Sequence, residues 1–183
     1  MFRSTVSAVL IAFSLTVAAR AQSVEHPQSI TPDGGTAVPL ASQAMRLHLL
    51  GMIDLYSLAL YVGGSTSREN LLSPEVSKAL RIQIVFEEDP RYRIGINWRA
   101  ELVPTLESAA TAHLRGTFAP LQGGDVVLIE YVPGKGTTVR VNKAVAVGGV
   151  NHDLMLAFLD YWLGQRPVSE EIKRTLLASR DAG

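Results

Sequence analysis

The chain has 183 residues, no cysteine, and 17 basic side chains (Lys and Arg) against 17 acidic ones. Disulfides, thiol catalysis and cysteine-ligated zinc are thereby excluded. A balanced charge without a long basic run gives nucleic acid no electrostatic footprint.

Met1, Phe2 and Arg3 make a short basic start, and Ser4 to Ala19 is an apolar run without charge. Ala19-Arg20-Ala21 has the small-x-small form of a cleavage site. Residues 1–21 therefore read as a secretory signal peptide cut after Ala21, which places the mature protein in the periplasm or outside the cell. The apolar run is shorter than a comfortable membrane span of roughly 20 residues. No cysteine follows it to take a lipid, and no later stretch is long and apolar enough to span a bilayer. Residues 22–35 contain Pro27, Pro32, Gly34 and Gly35 and read as a flexible polar tail. Residues 36–183 form one domain, long enough for a sizeable core.

Thr36 to Leu40 suggests a short strand, confined to an edge by Pro39. Met45 to Leu50 and Ile53 to Val62 read as two strands with Gly51 at the turn or bulge between them. In the second, Ile53, Leu55, Ser57, Ala59 and Tyr61 share one face, and Asp54, Tyr56, Leu58, Leu60 and Val62 share the other. Both faces are mostly apolar, so this strand is expected at the centre of a sheet covered on both sides. Arg68 to Ala79 suggests helical turns broken at Pro74. Leu80 to Phe86 alternates, with Leu80, Ile82, Ile84 and Phe86 inward and Arg81 and Gln83 outward.

Pro90 to Leu102 reads as helix, with Ile94, Trp98 and Leu102 at four-residue spacing, and Thr105 to Leu114 continues helical beyond Pro104. Val126 to Val132 and Thr137 to Asn142 form a hairpin around Pro133-Gly134-Lys135-Gly136. No GK[ST] helix start follows, so this is not a phosphate loop. Ala144 to Val150 suggests a further strand. Asn151 is placed to cap a helix whose stripe is Leu154, Phe158, Tyr161 and Trp162, with Gly164 ending it and Pro167 just beyond. Ser169 caps a last helix, with Glu170 and Glu171 at its positive end.

The four histidines, His26, His48, His113 and His152, are scattered and form no metal-binding spacing, and no G-x-S-x-G elbow occurs. No metal and no cofactor is expected. Glu87, Glu88 and Asp89 read as a solvated strand exit. Arg46 stands out: a guanidinium among apolar strand residues either emerges at a sheet edge or holds an anionic or carbonyl group in a cavity. His48 lies two residues along the same strand and shares its face. Tyr56, Ser57, Tyr61, Tyr92 and Asn97 could orient a ligand, though strand tyrosines are commonly plain core.

The order of these pieces resembles the chalcone isomerase-like family. Three blocks carry the resemblance: Arg46 with YSLALYV over Tyr56 to Val62, VPGKGTTVRVNKAV over Val132 to Val145, and YWLGQRPVSEEIKRTLLA over Tyr161 to Ala178. A secreted bacterial member of that group is the nearest match. The resemblance implies an α+β fold, a curved antiparallel β-sheet with helices layered on one face and a cleft between them.

In the family's plant enzyme an arginine holds the reacting oxygen as an anion, and Arg46 matches it. The enzyme's threonine falls at Tyr56, beside Ser57. Its helical tyrosine and asparagine fall near Leu102 and Ala109, and its second hydroxyl residue near Met155 or Leu156. One cation is kept while most polar pocket groups are apolar here. That implies a non-catalytic binder of a hydrophobic carboxylate such as a fatty acid, with Arg46, His48, Tyr56, Ser57 and Tyr61 as candidate ligand-binding residues. Two alternatives remain open: an isomerase or intramolecular lyase using Arg46, Tyr56 and Ser57, and an interaction module for envelope proteins.

Overall fold

The computed structural model describes residues 24–48, 53–87, 99, 102–103 and 109–178. The strands are β1 (Ser29–Ile30), β2 (Val38–His48), β3 (Ile53–Val62), β4 (Lys78–Ile84), β5 (Val126–Val132), β6 (Gly136–Val141) and β7 (Ala144–Val150). The helices are α1 (Arg68–Leu72), α2 (Ala109–Phe118), α3 (His152–Leu163) and α4 (Glu170–Leu177). The strands lie in the sheet in chain order, each antiparallel to the next. The sheet curls into a half-barrel. The α+β expectation of a curved antiparallel sheet bearing helices is met.

β3 is buried without a break from Leu55 to Val62. Alternation sends its side chains to two separate clusters. Tyr56, Leu58, Leu60 and Val62 join the main core under the helices, with Leu80, Ile82 and Ile84 of β4 and with Leu154, Met155, Phe158, Leu159 and Trp162 of α3. Ala59 and Tyr61 pack on the opposite face with Val38 and Ala79.

Leu55 breaks the alternation. Arg46 pairs with Tyr56 and Leu47 with Asp54, so Leu55 is the extra residue of a β-bulge. It joins the helix-side core beside Tyr56, and its carbonyl accepts from both Val85 N and Phe86 N at 3.0 and 3.1 Å.

Other boundaries moved for local reasons. The strand expected at Thr36 to Leu40 and the one starting at Met45 are one continuous β2, with Pro39 opposite Ser29 of β1 and beyond the pairing with β3. α1 stops short of Pro74, as a proline requires. Asn151 holds the N-cap position of α3 but makes no side-chain capping bond; it donates to Asp153 Oδ2 at 2.8 Å instead. Ser169 does cap α4, accepting from Ile172 N at 3.3 Å. Gly164 is the C-cap of α3 with φ −70°, outside the left-handed region, and a Cβ there would run into Asp160. The segment expected over Pro90 to Trp98, with Tyr92, Ile94 and Asn97, lies outside the described residues, as do Gly51 and the leader.

Residues 24–35, read from sequence as a polar lead-in, are docked on the sheet. His26 is 2% exposed and Pro32 is buried. Tyr61 donates its hydroxyl to Pro27 O at 3.0 Å. Asp33 pairs with Arg140, whose Nε also donates to Glu130 at 3.0 Å.

Candidate functional site

Arg46 lies near the end of β2 on the helix-facing side. Three observations place it there. Ser42, four residues earlier on the same face, donates its hydroxyl to Leu176 O of α4 at 2.6 Å. Ala44 belongs to the helix-side core. Arg46 itself is the register partner of Tyr56, whose ring is fully buried in that core. Arg46 is half-buried. Arg46 thus stands on the same sheet face as Tyr56 and Leu58, the face covered by Met155, Phe158 and Trp162 of α3.

Tyr56 is held in place. Trp162 of α3 donates its indole N–H to the Tyr56 hydroxyl at 3.2 Å, and Phe158 stacks on Trp162 at 5.9 Å between centroids. Of the positions at which the resemblance puts the enzyme's polar groups, Leu102 and Met155 are apolar and 0% exposed, and Leu156 is apolar and half-buried.

Beyond the end of β4, on the same end of the sheet as Arg46, lies an open cleft of about 660 Å³ lined by Glu87, Arg99, Pro120, Gln122 and Gly123. Arg99 donates through Nε to Leu121 O at 3.0 Å. A Cβ on Gly123 would press on Glu87 and on Phe86 O, so glycine lets these two segments meet.

Two of the remaining candidates, Ser57 and Tyr61, do not join Arg46. Ser57 pairs with Met45 and faces the opposite side of the sheet, as does Tyr61. A period of two separates them from Tyr56, so the five candidates cannot line one cleft. His48 is paired with Ile53 at the end of β2, and its side chain lies outside the described residues.

Ser57 instead belongs to a polar chain that the sequence did not suggest. His26 Nε2 is 2.7 Å from Ser57 Oγ, and His26 Nδ1 is 2.9 Å from Arg81 Nη1. Arginine only donates, so Nδ1 must accept and Nε2 must carry the proton. The imidazole therefore donates to Ser57, which passes its own proton toward Ala44 O at 3.4 Å. This tautomer cannot take a proton from the serine, so the pair is a structural tie and not a nucleophile with its base. Burial, and then the Arg81 charge, push the His26 pKa down to about 4, which keeps the ring neutral. No sequence rule pairs a histidine in a polar lead-in with a strand serine 31 positions away.

Asn142 serves the turn between β6 and β7. It takes φ 49°, accepts from Val126 N at 2.9 Å and donates to Asp125 at 2.7 Å. Among the described residues, no group of three or more His, Asp or Glu side chains could hold a metal ion. Among them too, no helix is long and apolar enough to cross a membrane.

The family described as chalcone isomerase-like matches residues 18–178. The chain belongs to the chalcone isomerase-like family. No curated protein matches significantly. Among solved structures, the crystal structure of a fatty-acid binding protein from Arabidopsis thaliana is similar, with a TM-score of 0.52 at 16% identity. The match covers 81% of this chain and 95% of that one. At that identity the likeness establishes a shared chalcone isomerase-like fold.

Proposed function

We propose that this chalcone isomerase-like protein is a non-catalytic binder of a hydrophobic carboxylate, such as a fatty acid, held between the sheet and its helical cover with the carboxylate on Arg46. The observation that carries the reading is the position of Arg46: a half-buried cation on the helix-covered face of the sheet, opposite Tyr56. The fold likeness to a fatty-acid binding protein supports it. The leader-like residues 1–21 support export to the periplasm or beyond.

Magnitudes favour a division of labour. Burying methylenes contributes about 0.8 kcal/mol each, so a long tail supplies most of the gross driving force. A charge-assisted bond adds about 1.5–3 kcal/mol and fixes which end points to Arg46. Leu102 and Met155, apolar and buried, stand where the resemblance puts polar pocket groups, which weighs against the enzyme's chemistry.

The test is calorimetric titration of delipidated protein, lacking residues 1–21, with palmitate. Saturable one-site binding is expected. Arg46→Gln should weaken it about 10–100-fold, the affinity equivalent of one charged hydrogen bond. Palmitate methyl ester should bind both proteins equally, and Ser57→Ala should change nothing. Equal palmitate affinity in Arg46→Gln and wild type overturns the reading. Arg46-dependent loss of chalcone absorbance would instead make it an isomerase.

A further inference from the structure

Lys78 opens β4 and is 0% exposed, yet among the described residues no carboxylate pairs with it. Its ammonium has three N–H groups and three acceptors. Leu71 O lies at 2.9 Å, Ser73 O at 2.6 Å and His152 Nε2 at 3.2 Å. The Tyr131 ring lies below, 5.4 Å from Nζ to its centroid. All three donors of a protonated lysine are thus used, and the third requires a lone pair on His152 Nε2.

His152 is the first residue of α3. Its ring packs on Tyr131 with centroids 4.3 Å apart, and Tyr131 in turn donates to Pro74 O at 2.7 Å. The contacts among Lys78, His152 and Tyr131 therefore join the α1–β4 loop, β4, β5 and the start of α3. At the other end of the same helix, Trp162 is bonded to Tyr56 beside Arg46. α3 is fastened to the sheet by polar contacts near both ends, Lys78 with His152 and Thr137 Oγ1 to Asn151 O at 2.9 Å at its start, and Trp162 with Tyr56 near its finish.

We propose that Lys78 and His152 form an acid-sensitive clasp on α3, closed while His152 is neutral and opened when it takes a proton. The geometry dictates the sign. A proton on Nε2 removes the acceptor and sets a second cation 3.2 Å from the first. It also places positive charge at a helix N-terminus, where the macrodipole already opposes it.

The charged and titratable groups around the imidazole are Lys78 from β4, Tyr131 from β5 and Asp153 on α3 itself. Only Asp153 favours the imidazolium, and it is engaged by Asn151. Burial and then Lys78 hold the His152 pKa below its ordinary value, and Asp153 offsets part of this. The clasp is therefore closed at neutral pH and opens as the pH falls through the lowered pKa of His152. If the ligand reading above is right, the same opening loosens the cover over the ligand.

Hydrogen exchange tests this without any ligand. In wild type, protection of the first turns of α3, corrected for intrinsic rates, should fall severalfold between pH 7.5 and 5.0. His152→Gln keeps a neutral acceptor for Lys78 at every pH and should abolish the fall. Lys78→Met should bring the NMR-titrated His152 back toward an ordinary histidine pKa. An undiminished acid loss in His152→Gln overturns the clasp, and so does unchanged α3 protection at pH 5.0 in wild type. Both readouts are independent of palmitate titration, so failure of one proposal is distinguishable from failure of the other.

Discussion

The indole N–H of Trp162 reaches the hydroxyl of Tyr56, 3.2 Å away across 106 positions of sequence. Both rings are fully buried, so neither group can turn to water. This bond fixes the angle of α3 over the part of the sheet that carries Arg46. Tyr56→Phe keeps the ring and removes the acceptor, stranding a buried donor. The expected loss is about 1–3 kcal/mol, read by urea denaturation, with a shifted tryptophan emission.

His26 makes stability depend on pH in a defined window. In the unfolded chain its pKa is 6.5, and in the fold it is about 4. Between those values the unfolded state binds more protons, so this contribution is complete above 6.5 and drains away as pH falls toward 4. His26→Gln can donate to Ser57 and accept from Arg81 without titrating. The stability difference between pH 7 and pH 4.5, from urea titrations, should be smaller in the variant than in wild type.

Arg140 bridges two carboxylates of unequal exposure. The Asp33 side chain is 82% exposed and the Glu130 side chain 5%. An exposed pair contributes about 0–1 kcal/mol, whereas stranding a buried carboxylate costs about 3–5 kcal/mol. Burial already raises the Glu130 pKa, with Arg140 opposing that rise. Arg140→Ala should therefore destabilise far more than Asp33→Ala, and adding Glu130→Gln to Arg140→Ala should recover part of the loss.

Lys143 adopts φ 74° in the turn from β6 to β7, next to Asn142 at φ 49°. A side chain in the left-handed region costs about 1–2 kcal/mol, and an Asn-Gly pair suits such a turn. Lys143→Gly should raise stability by up to about 1 kcal/mol after the entropic penalty of glycine. Thermal melts would show this as a rise of a few degrees.

The pattern of the sheet was readable because it depends on near neighbours. The two-faced burial of β3, the β5–β6 hairpin around Gly134 and the end of α3 at Gly164 follow from local periodicity and turn chemistry. The polar ties were not readable, because each joins residues distant in sequence. His26 with Ser57, Lys78 with His152 and Asp33 with Arg140 have no spacing rule. The split of Tyr56 from Ser57 and Tyr61 was implicit in alternation. Grouping them as one site ignored it. The bulge at Leu55 was invisible for another reason: Asp54-Leu55-Tyr56 carries no glycine to mark an irregular strand.

The hydroxyl bond from Ser42 to Leu176 ties the second strand to the last helix, 134 positions later. Until α4 has emerged, the helix side of β2 has no roof, although its neighbour β3 was made long before. Assembly of this face thus waits on a segment made long after the strand that it covers.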